Sequence, residues 1–180
     1  MKLRLPRTLL VACLAAVPLL GVAASSDEID ARVREALANL YQTSSAAKEL
    51  AGKARGLLVF PRILKGGVGI GGEYGEGALL IGGRTADYYS IRSASIGFQL
   101  GIQEKSVAIL FMDDAELEKF RHSDGWKAGV DGSVAIASIG AGESIDTETT
   151  RKPIIGFVFS NKGLMYNLAL EGSKITRLSK

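Results

Sequence analysis

Between Gly56 and Gly77 the chain reads GLLVFPRILKGGVGIGGEYGEG, an apolar segment carrying two bases that runs into a glycine-rich stretch, with eight glycines in all. Side chains this sparse cannot hold a core by packing alone. The glycines must permit unusual backbone angles or let a second backbone come close. Positive φ or a strand packed directly overhead is expected among Gly66, Gly67, Gly69, Gly71 and Gly72. Gly67, Gly69 and Gly72 formally satisfy G-x-G-x-x-G, but a dinucleotide site needs a helix straight after the turn to hold pyrophosphate on its N-terminus. The following EYGEGALLIGG alternates like more strand. A P-loop fails as well, because no Gly-Lys-Ser/Thr closes the run. The run reads as strongly bent strands passing close together.

The N-terminus has a different character. Lys2, Arg4 and Arg7 precede an apolar stretch from Thr8 to Leu20, and Gly21-Val22-Ala23-Ala24 offers a small-residue cleavage site. That order describes a secretory signal peptide over residues 1–24, cut after Ala24 or, as the near alternative, after Ala23. Leu10-Val11-Ala12-Cys13 resembles a lipoprotein processing box, but the five residues between Arg7 and Cys13 are too few for an apolar h-region. Thr8 to Ala24 is short for a membrane span and contains Pro18. The expected product is a periplasmic protein of residues 25–180 forming a single domain.

Removing residues 1–24 takes three bases and no acid, leaving 19 Lys and Arg against 19 Asp and Glu. The balanced charge carries no basic footprint of a nucleic-acid binder, so attraction to anions has to come from local clusters. The single cysteine, Cys13, leaves with the signal, and one histidine, His122, remains. Disulfides, thiol chemistry and soft-metal sites are therefore not expected, and no cofactor is implied.

Ser25-Ser26-Asp27-Glu28 forms a capping box, after which Ile29, Val33, Ala36, Leu37 and Leu40 repeat at helical spacing to about Tyr41. A second short helix is expected from Ser45 to Ala54, stopped by Gly56. From Leu57 the pattern becomes strand-like: Leu57–Phe60, Gly66–Tyr74, Gly77–Gly82, Tyr88–Leu100, Ser106–Met112, Ala128–Ile139, Pro153–Phe159, Leu164–Leu170 and Lys174–Leu178. One helix interrupts the strands, beginning at Asp113-Asp114-Ala115-Glu116, carrying Leu117 and Phe120, and ending by Gly125. Ala141 to Lys152 is polar and aperiodic, a loop. The fold class is α+β: a curled antiparallel β-sheet or barrel with N-terminal helices and one inserted amphipathic helix.

Four blocks carry a resemblance. Gly56-Leu57-Leu58-Val59-Phe60-Pro61 with Lys65-Gly66-Gly67, Gly69, Gly71-Gly72 and Tyr74-Gly75 is similar to the opening block of the SYLF family, a lipid-binding domain whose yeast members are also described as actin-binding. In order there follow Ile96 to Gln103, Trp126 to Asp131, and Ser160 to Tyr166 with Leu170-Glu171-Gly172-Ser173. The resemblance implies a non-enzymatic, phospholipid-binding domain; in eukaryotic relatives phosphoinositides are the favoured lipids, and an amphipathic N-terminal segment engages the membrane. This chain departs from the pattern. Its first helix bears Asp27, Glu28, Asp30, Arg32, Arg34 and Glu35, a mixed polar face rather than a basic one. An exported protein would meet bulk phospholipid or a lipid A-like anion rather than phosphoinositide or actin.

Lys53, Arg55, Arg62 and Lys65 fall within thirteen residues that hold no acid. Next to the backbone of Gly66 and Gly67 they are the candidate lipid-binding set, because a phosphate can meet cationic side chains and exposed N–H groups there. The other reading is solvated charge at strand ends. Glu73 and Glu76 stand three apart, which on a strand points them to opposite faces and argues against a shared carboxylate site. Asp113, Asp114 and Glu116 suit a helix cap better than a calcium loop. Ser90, Ser93 and Ser95 lack a nucleophile elbow, and His122 sits where a helix C-terminus would use it. Tyr88, Tyr89 and Trp126 suit either an interfacial aromatic edge or core and rim positions of a barrel. Two functions remain: an envelope module that binds anionic phospholipid or a membrane surface, and a periplasmic structural or protein-interaction domain with an envelope partner and no lipid ligand.

Overall fold

The computed structural model describes residues 24–97, 103–139, 147–162, 170 and 172–180. Residues 1–23 of the expected signal peptide, Cys13 among them, lie outside this set, as do Glu171 and most of the expected strand Leu164–Leu170. Both N-terminal helices start on serines. The Ser25 hydroxyl accepts the Glu28 N–H at 3.2 Å to open α1 (Ser26–Thr43), and Ser44 accepts the Ala47 N–H at 3.1 Å to open α2 (Ser45–Lys53). α1 buries Ile29, Val33, Ala36 and Leu40, the stripe its sequence period marks out, while α2 buries Ala47 and Leu50.

The strands are β1 (Gly56–Ile81), β2 (Arg84–Gly97), β3 (Gln103–Phe111), β4 (Trp126–Lys127), β5 (Ala135–Ser138), β6 (Ile154–Lys162) and β7 (Lys174–Leu178). They form one sheet in the order β4-β7-β2-β1-β3-β6-β5, antiparallel except for the parallel pair of β5 with β6. The α+β class holds, with this one parallel pair in an otherwise antiparallel curled sheet. Between β3 and β4 lies the inserted helix α3 (Asp114–Arg121), whose N-cap Asp113 accepts the Glu116 N–H at 2.8 Å. Two local expectations are corrected. Ala128–Ile139 is not one strand, because Gly129 at φ 83° and the Asp131 carboxylate accepting the Lys127 N–H turn the chain after β4. The expected loop Ala141–Lys152 contains a helical turn, α4 (Thr147–Thr150).

β1 fixes the shape of the sheet. Its residues 69–81 pair with β2 and its residues 56–65 with β3, so that Gly69 faces Gly97 while Lys65 faces Gln103. What read as three short strands is a single 26-residue one. At about 3.3 Å per residue, Val59 and Gly77 would stand roughly 60 Å apart if β1 were straight. Instead a Cβ built on Gly77 would run into the Val59 carbonyl oxygen, and one on Gly75 would lie 2.7 Å from the Arg62 carbonyl oxygen. β1 therefore doubles back until its second half touches the backbone of its first. Close approach is the role anticipated for the glycine run, and among the glycines of β1 whose surroundings are described the other half of the strand meets Gly75 and Gly77; the surroundings of Gly67 and Gly69 lie outside the described residues. The described glycines at positive φ are Gly82, Gly83, Gly125, Gly129 and Gly172, all outside the run 66–72. Gly82 and Gly83 supply the two positive φ angles of a two-residue turn between Ile81 and Arg84.

Alternation along the strands separates two apolar layers. Leu57, Val59, Ala108, Leu110, Ile155 and Phe157 face α1 and α2. Leu58, Phe60, Ile63, Val107, Ile109 and Phe111 face the inside of the curl, where α3 adds Leu117 and Phe120 beside Trp126. The Phe120 and Trp126 rings meet edge to face at 5.7 Å.

Candidate functional site

Three features gather the charged residues, and α1 borders two of them. On one flank of α1 a cleft of about 400 Å³ is bounded by Arg32, Asn39, Pro61, Arg62, Glu104 and Ser160. Arg62 Nε donates to Glu104 at 2.9 Å, and Ser160 donates to the Asn39 side chain at 3.1 Å. Ser160 holds φ at 54°, an uncommon conformation for a residue with a side chain.

The other flank of α1 carries a wider groove, about 620 Å³. Leu37, Ala38, Tyr41, Ala51, Leu57 and Leu80 make its walls apolar, and Arg34 and Arg55 stand at its edge. Burial pushes the Tyr41 phenol above its ordinary value, as befits a ring set into an apolar wall. Arg55 has one carboxylate neighbour, Asp114, at 3.6 Å with both side chains largely exposed. Arg34 has no ion-pair partner among the described residues.

Inside the curl the third feature is buried. Lys105 Nζ lies 2.8 Å from one oxygen of Glu73, and Lys65 Nζ lies 3.4 Å from the other. The side chains of Lys65, Glu73 and Lys105 are 8%, 8% and 1% exposed.

The sequence-predicted set is thus divided. Lys53 is exposed at the end of α2 and paired with Glu49 at 2.6 Å. Its hydrogen bond and charge hold the Glu49 carboxyl below its ordinary value. Arg55 joins the groove and Arg62 the cleft. Lys65 is three residues beyond Arg62, so its side chain takes the opposite face of β1 and turns inward. The two are not brought onto one phosphate. Gly66 is half-buried beside Lys65, with no atom within 4 Å of a Cβ built on it; Gly67 lies in β1 but its surroundings are outside the described residues.

The acids separate as alternation demands. Glu73 meets the two lysines, whereas Glu76 accepts from Tyr74 at 2.7 Å, from Lys180 at 3.1 Å and from the Ala24 N–H at 3.2 Å. His122 caps α3, with Nδ1 2.8 Å from the Glu118 carbonyl oxygen, and its side chain is 79% exposed. Ser90 is buried in β2. Among the described residues no three potential ligands cluster for a metal. The sequence reading missed Arg34, Tyr41, Lys105 and Ser160. Arg34, Leu37, Ala38 and Tyr41 carried a usable signal, a second helical face at i, i+3, i+4, i+7, and Lys105 shares the inward phase of β3 with Val107, Ile109 and Phe111. Nothing local marks Ser160.

Residues 92–180 match the family model Ysc84, described as Las17-binding protein actin regulator, which is the SYLF domain family. The second, third and fourth blocks of the resemblance fall within that match, and the glycine-rich first block precedes it. No curated protein matches the chain.

Proposed function

Residues 92–180 belong to the SYLF family, and from that premise we propose that the chain is a non-enzymatic phospholipid-binding module of the bacterial cell envelope that recognises anionic head groups. The observation that carries this reading is the groove beside α1. An apolar trough with cations at its lip has the polarity of an anionic amphiphile, taking chain against Leu37, Tyr41, Leu57 and Leu80 and head group against Arg34 and Arg55. Lys53 and Arg62 add exposed positive charge on the two sides of α1. Their carboxylate partners are surface pairs, which are worth at most about 1 kcal/mol each and yield readily to a phosphate.

Export to the periplasm is part of the same proposal, resting on the basic, apolar and small-residue order of residues 1–24. There the ligand is bulk anionic phospholipid or a lipid A-like anion.

The test is sedimentation with phosphatidylglycerol vesicles against phosphatidylcholine vesicles, for wild type and for Arg34→Glu combined with Arg55→Glu. Each base near an anionic surface contributes about 1 kcal/mol, so reversing two should reduce binding well over tenfold. Binding should also fall with salt, because exposed charges are screened over about 8 Å at physiological ionic strength. A folded double variant that sediments as wild type does would remove the groove from the mechanism. No sedimentation of wild type would favour a periplasmic interaction domain without a lipid ligand.

A further inference from the structure

Inside the curl, Lys65, Glu73 and Lys105 place two ammonium groups on one carboxylate, all nine-tenths or more buried. None of the three has a contact beyond these pairs among the hydrogen bonds and ion pairs of the described residues. Lys105 Nζ is 2.8 Å from Glu73 but makes no aligned hydrogen bond, so the capacity of its three donors is not used up by that carboxylate. The cluster thus carries one positive charge in excess, a costly thing to bury without a partner. A merely structural ion pair needs one lysine. A second one on the same carboxylate brings charge and donor capacity that an oxyanion can take up.

We propose that this inner end of the curled sheet is a binding site for an oxyanion, phosphate or carboxylate, held by Lys65 and Lys105 with Glu73 fixing the distance between them. Lys65 pairs across the sheet with Gln103, and Ile63 with Lys105, which puts the two bases on adjacent positions of neighbouring strands and on the same inward face. An anion between them completes the neutralisation that Glu73 begins. Ile63, paired with Lys105, and Val107, two residues further along β3, make the neighbouring surface apolar, so the probes include an oxyanion bearing a short hydrocarbon tail as well as a free one. The site shares no residue with the groove beside α1 and stands or falls separately from it.

The experiment is thermal unfolding of the full mature protein at constant ionic strength, titrated with inorganic phosphate, with octanoate and with dihexanoyl phosphatidic acid. The comparison is Lys105→Met, which leaves Lys65 and Glu73 as a neutral pair. Wild type should show a saturable rise in Tm of about 5–10 °C at a hundredfold excess over the dissociation constant. The variant should lose the saturable part and keep only the general salting effect of phosphate. Without ligand its Tm should equal or exceed that of wild type, because the excess buried charge is gone. A response to phosphate assigns a free anion, and a response to an amphiphile alone assigns a lipid-borne one. Lys65→Met should behave as Lys105→Met does, and isothermal titration of wild type decides the matter if neither variant folds. Absence of a saturable, lysine-dependent shift with all three anions, or of saturable heat in the titration, overturns the proposal. Arg34→Glu with Arg55→Glu should keep the shift, which separates this site from the membrane reading.

Discussion

Replacing Gly77 with alanine adds one methyl group at the point where β1 meets itself. That methyl carbon would be driven into the Val59 carbonyl oxygen and would lie 2.8 Å from both the Val59 carbonyl carbon and Phe60 Cδ1. A flexible side-chain tip could swing away, but two of these neighbours are backbone of a strand paired with β3 on its other side. The fold has to open the reversal or shift the ladder. Overpacking a tight interior costs typically 1–3 kcal/mol, and a backbone obstacle puts this substitution at the upper end, about 2–3 kcal/mol. For a domain of this size that lowers Tm by roughly 4–12 °C in a circular-dichroism melt. Gly66→Ala is the control: it lies in the same strand but no atom comes within 4 Å of the new carbon, so its effect should stay within about 0.5 kcal/mol. Equal melting temperatures for Gly77→Ala and wild type would mean that β1 does not double back as described.

The remaining predictions concern α1 and the chain ends. Asp30 on α1 accepts the Thr85 hydroxyl at 2.9 Å and the Tyr88 hydroxyl at 3.1 Å, so Asp30→Ala should cost about 1–2 kcal/mol in urea unfolding, with the m-value unchanged. Burial pushes the Glu76 carboxyl up, but hydrogen bonds from Tyr74 and Lys180, the Lys180 charge and the Ala24 N–H outweigh it and hold it below its ordinary value of 4.5. A carboxyl held lower in the folded state contributes stability above its unfolded value that disappears as pH falls through its folded value. Glu76→Gln should therefore flatten the loss of stability on acidification below about pH 4.5, while wild type declines across that interval.

Sequence alone was most informative where local chemistry decides the structure. Ser25, Ser44 and Asp113 cap their helices because a side-chain oxygen next to an orphan N–H needs nothing distant to act. The alternation that put Glu73 and Glu76 on separate faces was equally local. The same rule applied to Arg62 and Lys65 would have parted them too, and proximity along the chain hid it. The reversal of β1 was half legible. Eight glycines announced close approach, but which of them receive the other backbone depends on the fold-back bringing residues 75–77 onto 59–63, a long-range fact. Lys105 reads as an ordinary charged residue until its strand is given an inside.

The central position of β1 bears on what can be cut away. Residues 92–180 begin partway along β2 and leave out β1 entirely, although β2 and β3 both take their ladders from it. A piece of that length would expose the β3 edge from Gln103 to Phe111 with its apolar face uncovered, an invitation to pair with another chain. It would also lose Leu58, Phe60, Ile63 and Leu79 from the inner layer and the helices α1 and α2 from the outer one. The span of sequence kinship and the unit that can fold by itself are therefore different lengths of chain: the recognisable half depends on the N-terminal half that precedes it.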